Sequence, residues 1–244
     1  MDIVIIGGGG HGRVVLDIVR NAGLHRPVAV IDSNAALAGR RVDGVPIVGG
    51  PEMLPELRTR GVSGAIVAIG DNGARRSLAE EVVELGFDRI QAIHPSAQIS
   101  TTARIGETVV ISAGALICAH CQIGDSTILN TGCIVDHESM IGTAAHICPG
   151  VRLAGHVTVE SGAFVGIGAT VIQNIRIGFD AIVGAGAVVV SDVGPMTTVV
   201  GVPAREIKDA PDAAQFAALL HPKHARLTVR HGRPVQSDLG AGAG

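Results

Sequence analysis

Two rhythms of apolar and polar positions divide this chain. Over residues 2–94, short apolar runs alternate with amphipathic stretches. Residues 3–6, 28–31, 65–69 and 89–93 read as strands, and residues 14–23, 52–60 and 75–86 as helices. Such alternation predicts an α/β unit: a small parallel sheet covered by helices, with its ligand crevice at the carboxyl ends of the strands. From Ile99 the rhythm changes to six. Ile99, Ile105, Ile111, Ile117, Ile123, Leu129, Val135, Ile141, Ile147, Leu153, Val159, Val165, Val171, Ile177, Val183 and Val189 fall on every sixth position, sixteen aliphatic residues without a break. The residue four places on is small or β-branched, as in Ala103, Val109, Ala115, Cys121, Thr127, Cys133, Ser139 and Ala145.

A period of six describes flat parallel strands, each ending in a corner, wound into a triangular prism with three hexapeptides per turn. The aliphatic residue points inward, and glycine frees the left-handed backbone at corners. Residues eighteen apart therefore stack on one face, about 4.8 Å from each other. The expected organisation is a Rossmann-like α/β domain over 1–94, an all-β prism over 95–205 and an extension over 206–244. In that extension a helical stretch at 213–220 precedes a Gly/Ala tail at 239–244, expected to be disordered.

Composition sharpens this picture. With 34 glycines, four Phe and neither Trp nor Tyr, a core built on aromatic anchors is excluded, yet 47% of residues are hydrophobic, so disorder is excluded as well. A formal charge of −3 argues against nucleic acid or an anionic membrane surface as partner. The N-terminus lacks the basic segment and apolar run of a signal peptide, and the longest uncharged stretch, 108–124, contains Ser112, His120 and Gln122. A cytoplasmic protein is expected, its four cysteines serving as small hydrophobes in a reducing compartment.

Candidate chemistry sits in four places. Gly7-Gly8-Gly9-Gly10-His11-Gly12 meets the dinucleotide-binding spacing after a strand and before a helix, with Asp32 twenty residues beyond Gly12. The sheet ends near residue 93, which leaves room for half of a doubly wound fold. This favours the phosphate of a nucleotide or sugar nucleotide over NAD(P). The bland alternative is a turn that only packs helix on strand. Cys118-Ala119-His120-Cys121 has the spacing of half a metal site but no second half, so buried thiols and no metal are expected. Asp136-His137-Glu138 is the densest polar cluster of the repeat, and stepping by eighteen from Glu138 gives His120 and His156. A carboxylate flanked by imidazoles raises their basicity, as a general base requires; the alternative is a solvated polar stripe. Pro149, Ile167 and Ala185 form a second column, with His146 just before it. The two columns lie on different sides of the prism, so they meet only if a neighbouring subunit brings its own face alongside, and a symmetric trimer follows.

Gly9-Gly10-His11-Gly12, Ile69-Gly70-Asp71-Asn72, Ile93-His94-Pro95, Asp136-His137-Glu138 and Gly201-Val202-Pro203-Ala204-Arg205, in this order, resemble the bacterial sugar acetyltransferases typified by bacillosamine N-acetyltransferase and the sialic acid O-acetyltransferases. The resemblance implies a left-handed parallel β-helix, a homotrimer, acetyl-CoA as donor and a nucleotide-linked sugar as acceptor. It implies that His137 is the general base and Glu138 its partner. It further implies that His146, Ile167 and Ala185 contact acetyl-CoA, and that Gly9, Gly10, His11, Asp32, Ser33 and Gly70 contact the acceptor. Ser33 stands where some members carry a second acidic residue. Acetyl transfer to an amino group is the expected reaction. O-acetylation of a sugar such as sialic acid, a non-catalytic scaffold and a dehydrogenase using the glycine loop are the alternatives.

Overall fold

The computed structural model describes residues 1–207. The expected helix at 213–220 and tail at 239–244 lie outside the described residues. The N-terminal sheet holds β1 (Asp2–Ile6), β2 (Arg26–Ile31), β3 (Arg41–Val42), β4 (Val45–Gly49), β5 (Gly64–Val67) and β6 (Asp88–Arg89) in the order β3-β4-β2-β1-β5-β6. It is parallel except for the β3–β4 hairpin.

Strand alternation assigns the two faces of this sheet. Ile3 and Ile5 turn to α1 (Gly10–Ala22), where Val15, Leu16, Ile18 and Val19 supply a helical apolar stripe. Val4 and Ile6 turn to the other side, with Leu54 and Leu57 of α2 (Leu54–Thr59) and Ala79 and Val82 of α3 (Asn72–Glu84). The α1 layer also packs on Ala92, Val110 and Ile128, outward residues of the prism, so α1 is sandwiched between sheet and prism. α3 starts three residues before the expected position because the Asp71 side chain accepts the Ala74 N–H at 2.7 Å and caps it. The strand expected at 89–93 is really two. Asp88–Arg89 pairs with β5, whereas Ala92–Ile93 pairs with Val110–Ile111 and forms the first rung of the prism.

The prism is a left-handed parallel β-helix of two-residue strands. Its first face stacks Ala92–Ile93, Val110–Ile111, Ile128–Leu129, His146–Ile147, Phe164–Val165, Ile182–Val183 and Thr198–Val200. The second runs from Gln98–Ile99 to Val188–Val189 and the third from Arg104–Ile105 to Arg176–Ile177. Fourteen of the sixteen hexapeptide aliphatics, Ile111 to Val189, form one core cluster together with small residues such as Ala115, Cys121 and Ala145, and the first two, Ile99 and Ile105, are partly buried against it. Every outward strand residue of the first face from Ala92 to Thr198 is buried or half-buried, and α1 covers part of that face. Glycine is not the general corner residue. Thr108, His120, Ser126, Glu138, Ala144, His156, Asn174 and Asp180 also take the left-handed conformation, at φ between 49° and 61°.

Candidate active site

The glycine run divides into two kinds of position. Gly7 has φ 118°, and a Cβ there would lie 2.6 Å from the Ala68 carbonyl oxygen; a Cβ on Gly12 would lie 2.0 Å from the Gly7 carbonyl oxygen. These two let helix and strand approach. Gly9 and Gly10 are exposed, with nothing within 4 Å of a Cβ, and Gly9 gives the amino end of α1 no side-chain cap. A ligand's oxygens can therefore come close to free N–H groups there. The Gly8 N–H donates to Asp32 Oδ2 at 2.7 Å and the Asn34 N–H to Asp32 Oδ1 at 2.8 Å, so Asp32 braces the loop from the end of β2. Exposed Ser33 follows it, and Gly70 lies just beyond β5. Gly9, Gly10, Asp32, Ser33 and Gly70 thus gather at the carboxyl edge of β1, β2 and β5.

His11 lies in the first turn of α1, its ring 6.3 Å from that of His146 on the first prism face. Burial, reinforced by the Arg75 charge, pushes its pKa down to about 4, so the imidazole is neutral at physiological pH. Its buried Nε2 has no hydrogen-bond partner among the described residues. His146 also meets the Phe164 ring at 5.2 Å, and its Nε2 lies 3.4 Å from Asn130 Nδ2. It therefore faces the glycine loop rather than the column with which it was grouped.

Arg75 is the largest fully buried side chain, 1% exposed, and sequence reasoning missed it. Its guanidinium donates to the carbonyls of Ser126 and Ala144 in the prism, both at 2.7 Å, and to those of Ile69 and Gly70 at 3.0 and 3.2 Å. It also donates to Asn72 Oδ1, while Asn72 Nδ2 donates to the Gly162 carbonyl at 2.7 Å. Burial lowers its pKa to about 10, which still leaves it charged. The cation satisfies carbonyls that the corners of the prism leave open. Arg75-Arg76 in sequence reads as a solvated helix face, and no local pattern separates the clamp from its neighbour.

His137 and Glu138 form the corner between the second and third faces. The Glu138 N–H donates to the Ala119 carbonyl at 2.9 Å and the His156 N–H to the His137 carbonyl at 3.0 Å, so the column stacks as the eighteen-residue step requires. Glu138 and His156 hold left-handed φ values of 58° and 57°, a conformation costing about 1 kcal/mol or more for residues with a Cβ. His137 Nδ1 is 3.2 Å from Glu138 Oε2, and His156 Nε2 is 3.0 Å from the same oxygen. His120 keeps its place in the column, but among the described residues Glu138 pairs with His137 and His156 rather than with it. An ionised carboxylate only accepts hydrogen bonds, so Nδ1 carries the His137 proton and Nε2 is left with a free lone pair. Gly155 underlies the ring: a Cβ there would stand 2.5 Å from His137 Cε1.

Pro149, Ile167 and Ala185 stack at the corner between the first and second faces, where the Gly168 N–H donates to the Pro149 carbonyl and the Gly186 N–H to the Ile167 carbonyl. Ile167 and Ala185 are exposed. The two columns thus flank the second face along its opposite edges. Cys121, Cys133 and Cys148 are buried, and Cys118 is half-buried. Burial pushes Cys133 and Cys148 up to about 12 and raises Cys121 and Cys118, the last also feeling Asp136.

An α/β unit whose open glycine loop sits on a left-handed β-helix, with a histidine–carboxylate pair at a corner of that helix, places the chain in the class of hexapeptide-repeat β-helix proteins. Comparison with known proteins narrows the class. The PglD N-terminal domain matches residues 2–82. The UDP-N-acetylbacillosamine N-acetyltransferase of Bacillus subtilis (strain 168) is 39% identical over 116 residues, 46% of this chain and 51% of that protein, so the match spans about half of the curated relative. Among solved structures, PerB from Caulobacter crescentus in complex with CoA and GDP-perosamine is 45% identical, with a TM-score of 0.80 over 85% of this chain and 97% of that one. The acetyltransferase domain of PglB from Neisseria gonorrhoeae in complex with acetyl coenzyme A is 33% identical, with a TM-score of 0.79 over 84% of this chain and 98% of that one. The chain belongs to this family, the bacterial acetyl-CoA-dependent sugar N-acetyltransferases of the bacillosamine and perosamine type.

Proposed function

We propose that this protein transfers an acetyl group from acetyl-CoA to an amino group of a nucleotide-linked sugar. The observation that carries the reading is the His137–Glu138 pair, which leaves His137 Nε2 as a proton acceptor at an exposed corner. The amine lone pair attacks the thioester carbonyl carbon, and the amine proton passes to Nε2. The tetrahedral intermediate collapses with cleavage of the C–S bond, the electron pair leaves on sulfur, and the proton ends on the CoA thiol. The buried thiols, raised in pKa, support direct transfer without an acyl-enzyme. Residues 1–94 hold the acceptor through Gly9, Gly10, His11, Asp32, Ser33 and Gly70, and residues 95–205 carry the transfer. Ile167 and Ala185 line the path of CoA, and His146, set against His11, serves where donor and acceptor meet.

The active unit in this reading is a homotrimer. His137 stands at the vertex opposite the prism face on which His11 and His146 meet, so one chain does not bring base and acceptor loop together. A cytoplasmic setting is supported by four cysteines that are all free and, among the described residues, by the lack of any helix long and apolar enough to cross a membrane.

The test is thiol release from acetyl-CoA against a panel of nucleotide-linked amino sugars, with hydroxyl acceptors such as sialic acid alongside. At least one amino sugar should turn over, and His137→Ala should lower kcat by about 10²-fold or more. Near-normal turnover in that variant removes His137 from the role. Turnover of hydroxyl acceptors alone makes the protein an O-acetyltransferase. No turnover, with no thermal shift at millimolar CoA, makes it a scaffold.

A further inference from the structure

Glu138 Oε2 lies 3.2 Å from His137 Nδ1 and 3.0 Å from His156 Nε2, and one ligand atom from each of the three residues lies within 4.8 Å of the others. An ion held at 2.0–2.1 Å by tetrahedrally disposed nitrogen and oxygen ligands sets those atoms roughly 3.3 Å apart. Two of the three ligand–ligand edges therefore already have the separation such an ion imposes. We propose that His137, Glu138 and His156 form a site for a divalent transition-metal ion of the Zn²⁺ kind, and that occupancy switches off the base.

Three features favour this over a plain ion pair. The backbone that carries the ligands is rigid, since His137 and His156 are joined by the corner hydrogen bond at 3.0 Å and Gly155 leaves the His137 ring no side chain to ride over. The three side chains are each about half exposed, so an ion enters without the fold opening. Two imidazoles and one carboxylate, with a fourth position open to water, are a donor set that zinc uses and that Mg²⁺ and Ca²⁺, which need oxygen ligands, do not.

Inhibition follows from the tautomer, and this half of the inference rests on the base role proposed above. A metal on Nδ1 requires a neutral imidazole with its proton on Nε2. The atom that should take the amine proton then already carries one, and Glu138 is occupied by the ion. The acceptor loop is untouched, so the effect falls on kcat and not on the KM for the nucleotide sugar.

The experiment uses the full chain, stripped of metal by chelator. Co²⁺ is titrated as a spectroscopic probe, and Zn²⁺ is titrated calorimetrically and in turnover, with acetylated sugar as readout because the released thiol itself binds zinc. The wild-type chain should show the visible bands of four-coordinate Co²⁺, and micromolar to millimolar Zn²⁺ should depress kcat reversibly on chelation. His156→Ala should weaken both Co²⁺ and Zn²⁺ binding by about 10-fold or more, the scale on which lost ligation is felt, while His120→Ala at the same corner should not. His221→Ala with His224→Ala serves as control for histidines elsewhere. Four-coordinate Co²⁺ spectra that persist in His156→Ala but vanish in the double control, or their absence in the wild-type chain, overturn the site. Binding that depends on His156 but leaves kcat intact supports the site and instead removes His137 from the role of base.

Discussion

At the scale of single residues, the two ends of the site are held by opposite devices. His137 is exposed and aimed by a carboxylate, with open space kept beneath it by Gly155. Gly155→Ala puts a methyl group where the ring lies, and displacement of a reacting group by about 1 Å costs up to roughly 10²-fold. The expected outcome is a 10- to 100-fold lower kcat at an unchanged melting temperature, measured by turnover and calorimetry side by side. His11 is instead half-buried with its Nε2 enclosed, and burial depresses its pKa to about 4 from 6.5. Because the unfolded chain takes up this proton first, the stability His11 contributes is complete above pH 6.5 and is lost as the pH falls toward 4. The shift is worth about 3 kcal/mol at most. Denaturant unfolding between pH 7 and 4 should therefore show a steep loss of stability that His11→Gln flattens.

Between elements, Arg75 is the decisive contact. From α3 it binds corner carbonyls of the prism on one side and the loop after β5 on the other. Among the described residues no carboxylate is hydrogen-bonded to its guanidinium, whose bonds run to backbone carbonyls and to Asn72 Oδ1 while the nearby Asp71 charge favours the cation, and removing it would leave buried acceptors unsatisfied. Charged hydrogen bonds of this kind contribute about 1.5–3 kcal/mol each before compensation. Arg75→Met should cost at least about 3 kcal/mol of stability. In the protein that remains folded, it should raise KM for the nucleotide sugar more than it lowers kcat, because Gly70 loses its support. An unchanged KM would make Arg75 a purely structural clamp.

For the whole molecule, the prism places unlike surfaces on its edges: the His137 corner, the Pro149–Ile167–Ala185 corner and the face covered by α1. A triangular solid cannot bring its own vertex to the opposite face, whereas a three-fold array brings unlike edges together three times and closes. Complementation tests this. His137→Ala chains and Ala185→Trp chains, each inactive alone, should regain partial activity when refolded together, because some sites in mixed trimers receive both intact columns. No recovery in verified mixed trimers, or full activity in a proven monomer, would show that each site is built within one chain.

The prism was legible in the sequence because its rule is local. One inward aliphatic every six residues, repeated sixteen times, admits one way of burying the row, and the eighteen-residue step put Glu138 and His156 together before any coordinates did. The α/β unit and its glycine loop were legible for a similar reason, since the spacing of strand, turn and helix is short. What the sequence left open depended on side-chain direction and on contacts between distant segments. Whether Glu138 turns to His120 or to His156 is a matter of rotamer, which periodicity does not encode. That His146 faces His11, that Arg75 is buried while Arg76 is not, and that residues 88–93 split between two sheets follow from how the α/β unit seats on the first prism face. Such pairings join residues 18 to 135 positions apart, and no local pattern decides which partners meet. Only the folded chain, by burying α1 against Val110 and Ile128, decides them.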